Sequence, residues 1–131
     1  MDEKELRTGN AVYIVNPKNK NDRTVGRITG CPKREVEYLN NFGSKKVTFE
    51  PVAITEEILL NNKFMKNPNF PDRYYFSGTS TYFVKKDSDS YYIGIENSGS
   101  DSRVSIPFIY LHQLQNAIYY IRGIEIEFTK Y

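Results

Sequence analysis

Hydrophobic and polar positions alternate along much of the first half of the chain, and turn-forming residues separate the alternating runs. A period of two is typical of a β-strand with one buried face. The predicted strands are residues 11–15, 23–29, 34–38 and 46–49, with a hairpin turn at residues 40–43, where Asn and Gly tolerate positive φ. By analogy, short strands joined by tight turns favour a curled, SH3-like sheet.

The middle of the chain carries one helix signal followed by an interruption. Thr55 supplies a capping hydroxyl, and the two glutamates after it place negative charge at the positive end of the helix dipole. An apolar run follows, and Asn61 and Asn62 end this short helix. Two proline-containing steps in residues 63–73 predict an irregular connection there.

The second half begins with further strand patterns. The predicted strands are residues 73–77, 81–86 and 90–96, with a turn at residues 87–89. Residues 97–102 are small and polar, which predicts a mobile loop. Residues 103–106 are predicted to pair as one more strand before Pro107 ends it.

The clearest periodic signal lies near the C-terminus. Apolar residues recur at spacings of three and four, which places them on one face of an α-helix: Leu111, Leu114, Ile118 and Ile121. Gly123 follows as a left-handed cap. Residues 124–128 then alternate apolar and polar side chains, which predicts a final strand.

These elements predict a β-rich α+β fold in a single domain spanning residues 1–131, with the irregular connection separating halves at residues 1–62 and 73–131. The 131 residues suffice for a hydrophobic core without disulfides or metals. A single cysteine, an acidic N-terminus and the lack of a long apolar run predict a cytoplasmic protein with no membrane segment.

Charge and aromatic content shape the expectations about partners. The net charge of +2 is smaller than a duplex-binding domain normally shows, so nucleic acid is a less favoured partner. The chain holds 11 Tyr and 8 Phe but no Trp. Strand composition explains most of these rings, and a ligand surface is the alternative explanation.

No familiar catalytic or cofactor motif is present, and we expect neither an enzyme nor a bound cofactor. The single histidine leaves too few ligands for a usual structural zinc site. Cys31 and His112 are the only Cys–His pair, and no neighbouring residue marks Cys31 as activated. Glutamate pairs such as Glu125 and Glu127 lie two apart, as on the solvated side of any amphipathic strand.

The polar side of the C-terminal helix is one candidate binding site. Three- and four-residue steps relate four of its residues, which therefore line one stripe: His112, Gln115, Asn116 and Tyr119. Such groups donate and accept directional hydrogen bonds, which suits a neutral polar ligand. The alternative is that they bind the helix to neighbouring backbone.

Tyrosines mixed with basic residues form the second candidate site. Strand alternation turns only one tyrosine of each Tyr-Tyr pair toward the core, so the other faces outward. The candidate residues are Tyr75, Lys85, Tyr92 and Arg103. Outward rings that stack and cations that bind phosphate suit a nucleotide or a single strand of nucleic acid, although exposed sheet faces often carry the same mixture.

Three segments resemble small uncharacterised proteins encoded by bacteriophages and mobile elements of gut anaerobes. The segments are Leu6-Arg7-Thr8-Gly9-Asn10 with Val12, Thr55-Glu56-Glu57 with Leu59, Leu60 and Phe64, and His112-Gln113-Leu114-Gln115-Asn116 with Gly123 and Glu125. Residues 122–125 depart from that pattern, because those proteins tend to have Thr-Gly-Glu-Glu there. The resemblance implies a phage or mobile-element origin and little about mechanism. Small non-enzymatic phage proteins of this size often act by binding, either to block a host protein or to sequester a host signalling nucleotide.

The sequence therefore favours a non-catalytic binding protein that sequesters a nucleotide-like signalling ligand or a host defence factor. One alternative is a protein–protein or self-association module with exposed tyrosines as hot spots. Another is a nucleic-acid accessory protein that uses Arg7, Lys18, Lys20, Arg23 and Arg27. A hydrolase using Cys31 or a carboxylate pair is the least supported alternative.

Overall fold

The structure is a computed structural model, and it describes residues 6–16, 19–28, 48–76, 82–97 and 100–131. The fold is α+β, as predicted: two antiparallel sheets, mostly of short strands, with one short helix and one longer helix. The strands are β1 (Ala11–Asn16), β2 (Asn19–Arg27), β3 (Thr48–Pro51), β4 (Met65–Lys66), β5 (Arg73–Tyr75), β6 (Tyr82–Asp87), β7 (Ser90–Asn97) and β8 (Ser100–Arg103). The helices are α1 (Glu56–Asn61) and α2 (Leu111–Arg122).

The first sheet has the order β2-β1-β3, with all pairs antiparallel. The apolar run of β1 forms its centre, as the pattern predicts. β2 begins earlier than predicted because its pairing with β1 continues to the Asn16–Asn19 pair. The predicted strand at 34–38 and turn at 40–43 lie outside the described residues. In the part of the chain that the structure describes, the SH3-like strands form an open sheet and no barrel.

The second sheet has the order β4-β5-β6-β7-β8. The predicted turn at 87–89 joins β6 to β7, and Ser88 takes a positive φ of 59° in it. β4 falls within the segment predicted to be irregular, where its two residues pair with β5.

The edge of this sheet differs from the prediction. Residues 100–102, predicted as part of a mobile loop, form β8 together with Arg103, and residues 104–106 of the predicted strand 103–106 are not in a strand. β7 runs on to Asn97, and its last residues pair with the polar residues of β8. The apolar residues of the predicted strand at 103–106 are therefore not needed for this pairing. The Val104 N–H still donates to the Ile93 carbonyl, and Ser105 to Pro107 then bulge away from β7 before Phe108 pairs with Tyr91.

Ser105 keeps the bulge attached to β7. The Ile93 N–H donates to the Ser105 hydroxyl oxygen over 2.7 Å, and this hydroxyl donates to the Ile106 carbonyl over 3.1 Å. The Ile106 side chain is 82% exposed at the tip of the bulge. A hydroxyl thus takes the place of a backbone acceptor where the ladder is interrupted.

Both helices have the caps that the sequence predicts. The Ile58 N–H donates to the Thr55 hydroxyl over 3.1 Å at the start of α1, which ends at Asn62. α2 ends at Gly123, whose φ of 66° is left-handed and whose N–H donates to the Tyr119 carbonyl over 2.7 Å. Glycine adopts this conformation without the strain that a Cβ would add.

The predicted final strand at 124–128 is wrong. The segment is extended and its side chains alternate between packed and exposed, but it joins neither sheet. Amide side chains bind its backbone instead: Gln115 Nε2 donates to the Ile126 carbonyl over 2.7 Å, and the Asn62 amide binds Thr129 and Lys130. A period of two shows which side chains are buried, and it does not show whether a neighbouring strand is present.

One buried cluster contains residues from both sheets, both helices and the C-terminal segment. It includes Val52, Tyr74, Ile93, Leu114 and Phe128. Its position shows that α2 packs on one face of the second sheet. The segment after β3 also contacts the segment before α2, since Ile54 N–H donates to the Ile109 carbonyl over 2.9 Å. The other face of the second sheet is therefore turned away from the helix.

Candidate functional site

The face of the second sheet that is turned away from α2 is the candidate site, and we call it the outer face. Directly paired residues on antiparallel strands have their side chains on the same face. The outer face comprises Met65, Arg73, Tyr75, Phe83, Lys85, Asp87, Tyr92, Gly94, Glu96, Asp101 and Arg103. The predicted residues Tyr75, Lys85, Tyr92 and Arg103 all lie on it.

The two Tyr-Tyr pairs of the second sheet divide between its faces as alternation predicts. Tyr74 and Tyr91 are buried in the core, with 3% and 4% exposure. Tyr75 and Tyr92 are half-buried on the outer face. The sequence therefore predicted correctly that one ring of each pair faces outward.

Arg73 lies at the centre of the outer face, and its side chain is only 8% exposed. Its guanidinium carbon lies 4.1 Å from the centroid of Phe70 and 4.4 Å from that of Phe83, so the group is held between two rings. Arg73 binds the carboxylates of Glu96, at 3.4 Å, and Asp101. Burial acts to lower the pKa of Arg73, but its hydrogen bonds to Asp101 and Tyr75 raise it overall.

Tyr75 joins the same network. Its hydroxyl donates to Glu96 and accepts from Asn67 Nδ2 at 3.3 Å. Burial raises the pKa of the Tyr75 phenol, and the hydrogen bond to Glu96 acts in the same direction. The phenol therefore stays neutral at physiological pH, and it presents a fixed ring and a fixed donor.

The remaining cations of the outer face also have acidic partners. Arg103 lies 4.0 Å over the centroid of Tyr92, and its Nη2 is 3.2 Å from Asp87. Lys85 Nζ lies 3.6 Å from an Asp72 oxygen. A phosphate group would have to compete with these carboxylates for either cation. Met65, exposed by 72%, adds apolar surface beside Tyr75, and Phe70, exposed by 46%, adds it beside Arg73.

The three predicted helix residues do not join the outer face. His112 is fully buried, with its ring stacked on Tyr110 at 5.9 Å. Asn116 Oδ1 accepts from Arg7 Nε and from Asn10 Nδ2, both at 2.9 Å. The Arg7 guanidinium lies 4.2 Å over the ring of Tyr119. Asn116 and Tyr119 thus connect α2 to the N-terminal loop.

The cations named for nucleic acid are partly engaged as well. Arg7 binds Asn116 and, at 2.8 Å, Glu125, while Arg27 pairs with Glu127. Lys18 lies outside the described residues, and the side chains of Lys20 and Arg23 are not described. Neither arginine presents an unpaired cation to a phosphate.

Two surface pockets lie against the C-terminal segment, away from the outer face. One, of about 490 Å³, is lined by residues 61–64, Phe76, residues 124–127, Thr129 and Lys130. The other, of about 550 Å³, is lined by residues 7–9, Arg27 and residues 125–127. The Asn62 side-chain amide, which lines the first pocket, already forms hydrogen bonds with four backbone groups.

The described residues include no cluster of His, Cys, Asp and Glu able to hold a metal ion. They also contain no helix that is long and apolar enough to cross a membrane. Cys31, the proposed nucleophile of the least supported alternative, lies outside the described residues.

The sequence did not indicate the central role of Arg73 or of its partners. Alternation does place Arg73 on the same face as Tyr75, two residues later. Phe70, however, comes from the segment predicted to be irregular, and Asp101 from a strand predicted to be a loop. Their contact with Arg73 depends on pairing between strands, which no local pattern specifies.

Comparisons with known proteins add no family or relative. No protein-family model matches the chain, and neither a curated protein nor a solved structure matches it.

Proposed function

We propose that the chain is a non-catalytic binding protein whose outer face recognises a protein partner. The observation that carries this proposal is the composition of that face: rings and arginines are held rigidly at its centre, with exposed Met65 and Phe70 beside them. Tyr, Phe, Met and Arg are the residue types enriched at protein interfaces and their hot spots.

Preorganisation supports the same proposal. Arg73 is fixed by two rings and two carboxylates, and Tyr75 is fixed by Glu96 and Asn67. Side chains that are already ordered lose little conformational entropy when a partner binds. A phage-type protein that blocks a host factor, as the sequence resemblance suggests, would use such a surface.

A nucleotide-like ligand is the alternative, and the pairing of the cations disfavours it. Lys85 and Arg103 each lie near a carboxylate, so a phosphate would gain less from them than from unpaired cations. No residue of the outer face lines either of the two pockets described above.

A pair of matched variants tests the protein-binding proposal. Met65→Asp places a charge on the outer face, and Tyr120→Asp makes the same change on α2, at a site exposed by 79%. A partner captured from host lysate is identified, purified and titrated by calorimetry. We expect Met65→Asp to weaken its binding at least about tenfold, and Tyr120→Asp to leave it unchanged. Equal effects of the two variants would contradict the proposal.

Calorimetry with a panel of cyclic nucleotides tests the alternative ligand. Saturable binding of a nucleotide that is lost in both Lys85→Ala and Tyr92→Ala would show that the outer face binds a nucleotide, and it would contradict the proposal of a protein partner. We expect no saturable heat from any member of the panel.

A further inference from the structure

The free edge of β8 has a definite hydrogen-bonding register. Val104 N–H donates to the Ile93 carbonyl over 2.9 Å, next to the Gly94–Arg103 pair. This geometry marks Gly94 and Arg103 as a pair that exchanges no hydrogen bonds. By alternation Glu96 and Asp101 form a pair of the same kind. The N–H and C=O groups of Asp101 and Arg103 therefore point away from β7.

No strand in the described part of the chain pairs with that edge. The sheet order ends at β8, and no described backbone group bonds to the main chain of Asp101 or Arg103 on the open side. Both residues are exposed. An edge of this kind is a template for another strand unless charge, proline or a covering element protects it.

The side chains of β8 decide which strand fits. Asp101 and Arg103 flank Ser102 and lie on the same face. When an identical strand runs antiparallel with its Ser102 opposite this Ser102, each Asp101 faces an Arg103 of the other copy. The outward backbone groups of these residues then pair in register, two hydrogen bonds for each Asp–Arg pair.

We propose that a second copy of this chain pairs with β8 across a twofold axis centred on Ser102. The contact is isologous, because the same three residues, Asp101, Ser102 and Arg103, contribute to both sides. It joins two five-stranded sheets into one continuous sheet, and it brings the two outer faces side by side. The proposal does not depend on the partner protein proposed above.

The charged groups are held ready for this contact. Asp101 uses Oδ2 for Arg73, which leaves Oδ1 for a second cation. Arg103 uses Nη2 for Asp87 and rests on Tyr92, which leaves its other guanidinium nitrogens for a carboxylate. Opposite charges directly across two strands stabilise the pair, and like charges destabilise it.

Light scattering and sedimentation over a range of protein concentrations test the proposal. We expect the full chain to form dimers that salt weakens, and Arg103→Glu to dissociate at least about tenfold more readily, because the introduced carboxylate would face Asp101 of the other copy. Arg122→Glu, the same change on α2, should leave the dimer unaffected. Mixing Arg103→Glu with Asp101→Arg should restore dimers, since each variant then complements the other.

Amide hydrogen exchange gives a second readout that does not depend on a variant's folding. The Asp101 and Arg103 amides should become protected as the protein concentration rises, whereas the Ser102 amide, which faces β7, should be protected throughout. A chain that stays monomeric at the highest concentration would overturn the proposal. So would an Arg103→Glu variant that dimerises like the original, or protection that rises on another strand.

Discussion

At the scale of single residues, the outer face is built around the absence of one side chain. Gly94 lies directly opposite Phe83, and a Cβ on Gly94 would overlap the Phe83 ring. The missing Cβ lets this ring lie flat on the sheet, where it is 1% exposed. Arg73 then stacks on the ring, so the position of the central cation depends on a glycine two strands away.

Gly94→Ala should therefore destabilise the protein by about 1–3 kcal/mol, because Phe83 must leave its rotamer or the strands must separate. Urea denaturation measures this loss. Gly26→Ala is the matched control, since a Cβ there would meet the flexible end of Ile14, at 2.7 Å, which can rotate away. Equal losses in the two variants would show that Phe83 adapts as easily as Ile14 does.

Replacing Arg73 tests the network that it organises. Arg73→Met keeps an apolar stem between Phe70 and Phe83 but leaves Glu96 and Asp101 without their cation. Because these carboxylates are each 37% exposed, water compensates part of the loss, and we expect a cost of about 1–3 kcal/mol. Chemical denaturation gives the value. If the free energy of unfolding did not change, the packing of the side chain between the two rings would account for all the stability that Arg73 provides.

At the scale of elements, the C-terminal segment shows how an extended chain can be fixed without a neighbouring strand. The Asn62 amide accepts from the N–H groups of Thr129, at 2.9 Å, and Lys130, at 3.2 Å. It also donates to the carbonyls of Ile58 and Lys130, both at 2.7 Å. One side chain at the end of α1 thus supplies what a sheet edge would normally supply.

Asn62→Ala should release this segment, at a cost of about 2 kcal/mol in unfolding free energy. Hydrogen exchange should show faster exchange at Thr129 and Lys130 while β5 to β7 stay protected. Asn61→Ala, at an exposed position one residue earlier, is the control and should change neither quantity. Uniform loss of protection across the protein would instead indicate that Asn62 supports the whole fold.

Periodicity predicted the elements whose burial and hydrogen bonding agree. α2 shows this agreement, since its apolar positions pack in the core and Gly123 ends it. Periodicity was misleading where the pattern of burial and the pattern of backbone hydrogen bonding do not coincide. Residues 124–128 alternate because the core lies on one side of them, although none of the described strands pairs with them, and β8 pairs although it is polar. Hydrogen-bond partners of this kind come from distant parts of the chain, which a local pattern does not report.

At the scale of the whole molecule, tyrosines link the core, the outer face and the C-terminal segment. Burial raises the pKa of Tyr74, Tyr75, Tyr91 and Tyr131 above the ordinary value of 10.0. Tyr131 also donates to the Val12 carbonyl over 3.0 Å, which joins the segment to the first sheet. These phenols are neutral in the folded protein under ordinary conditions.

The folded state should therefore lose stability in alkaline solution. A phenol whose folded pKa lies above its unfolded pKa contributes fully below about pH 10, and its contribution is lost as the pH rises through the folded pKa. Titration by tyrosinate absorbance should show a late group of phenols that ionises together with loss of the near-ultraviolet circular dichroism. If all 11 tyrosines ionise in one step with the fold intact, the buried phenols do not contribute in this way.

The hydroxyl of Ser105 determines where the second sheet can tolerate inserted residues. Because it receives the Ile93 N–H, the ladder of β7 stays satisfied while the neighbouring chain departs and returns. Residues added between Ser105 and Phe108 would enlarge the loop at Ile106 without altering any pairing inside the sheet. This short stretch is therefore a place in the described part of the chain where relatives can differ in length while they keep the same architecture.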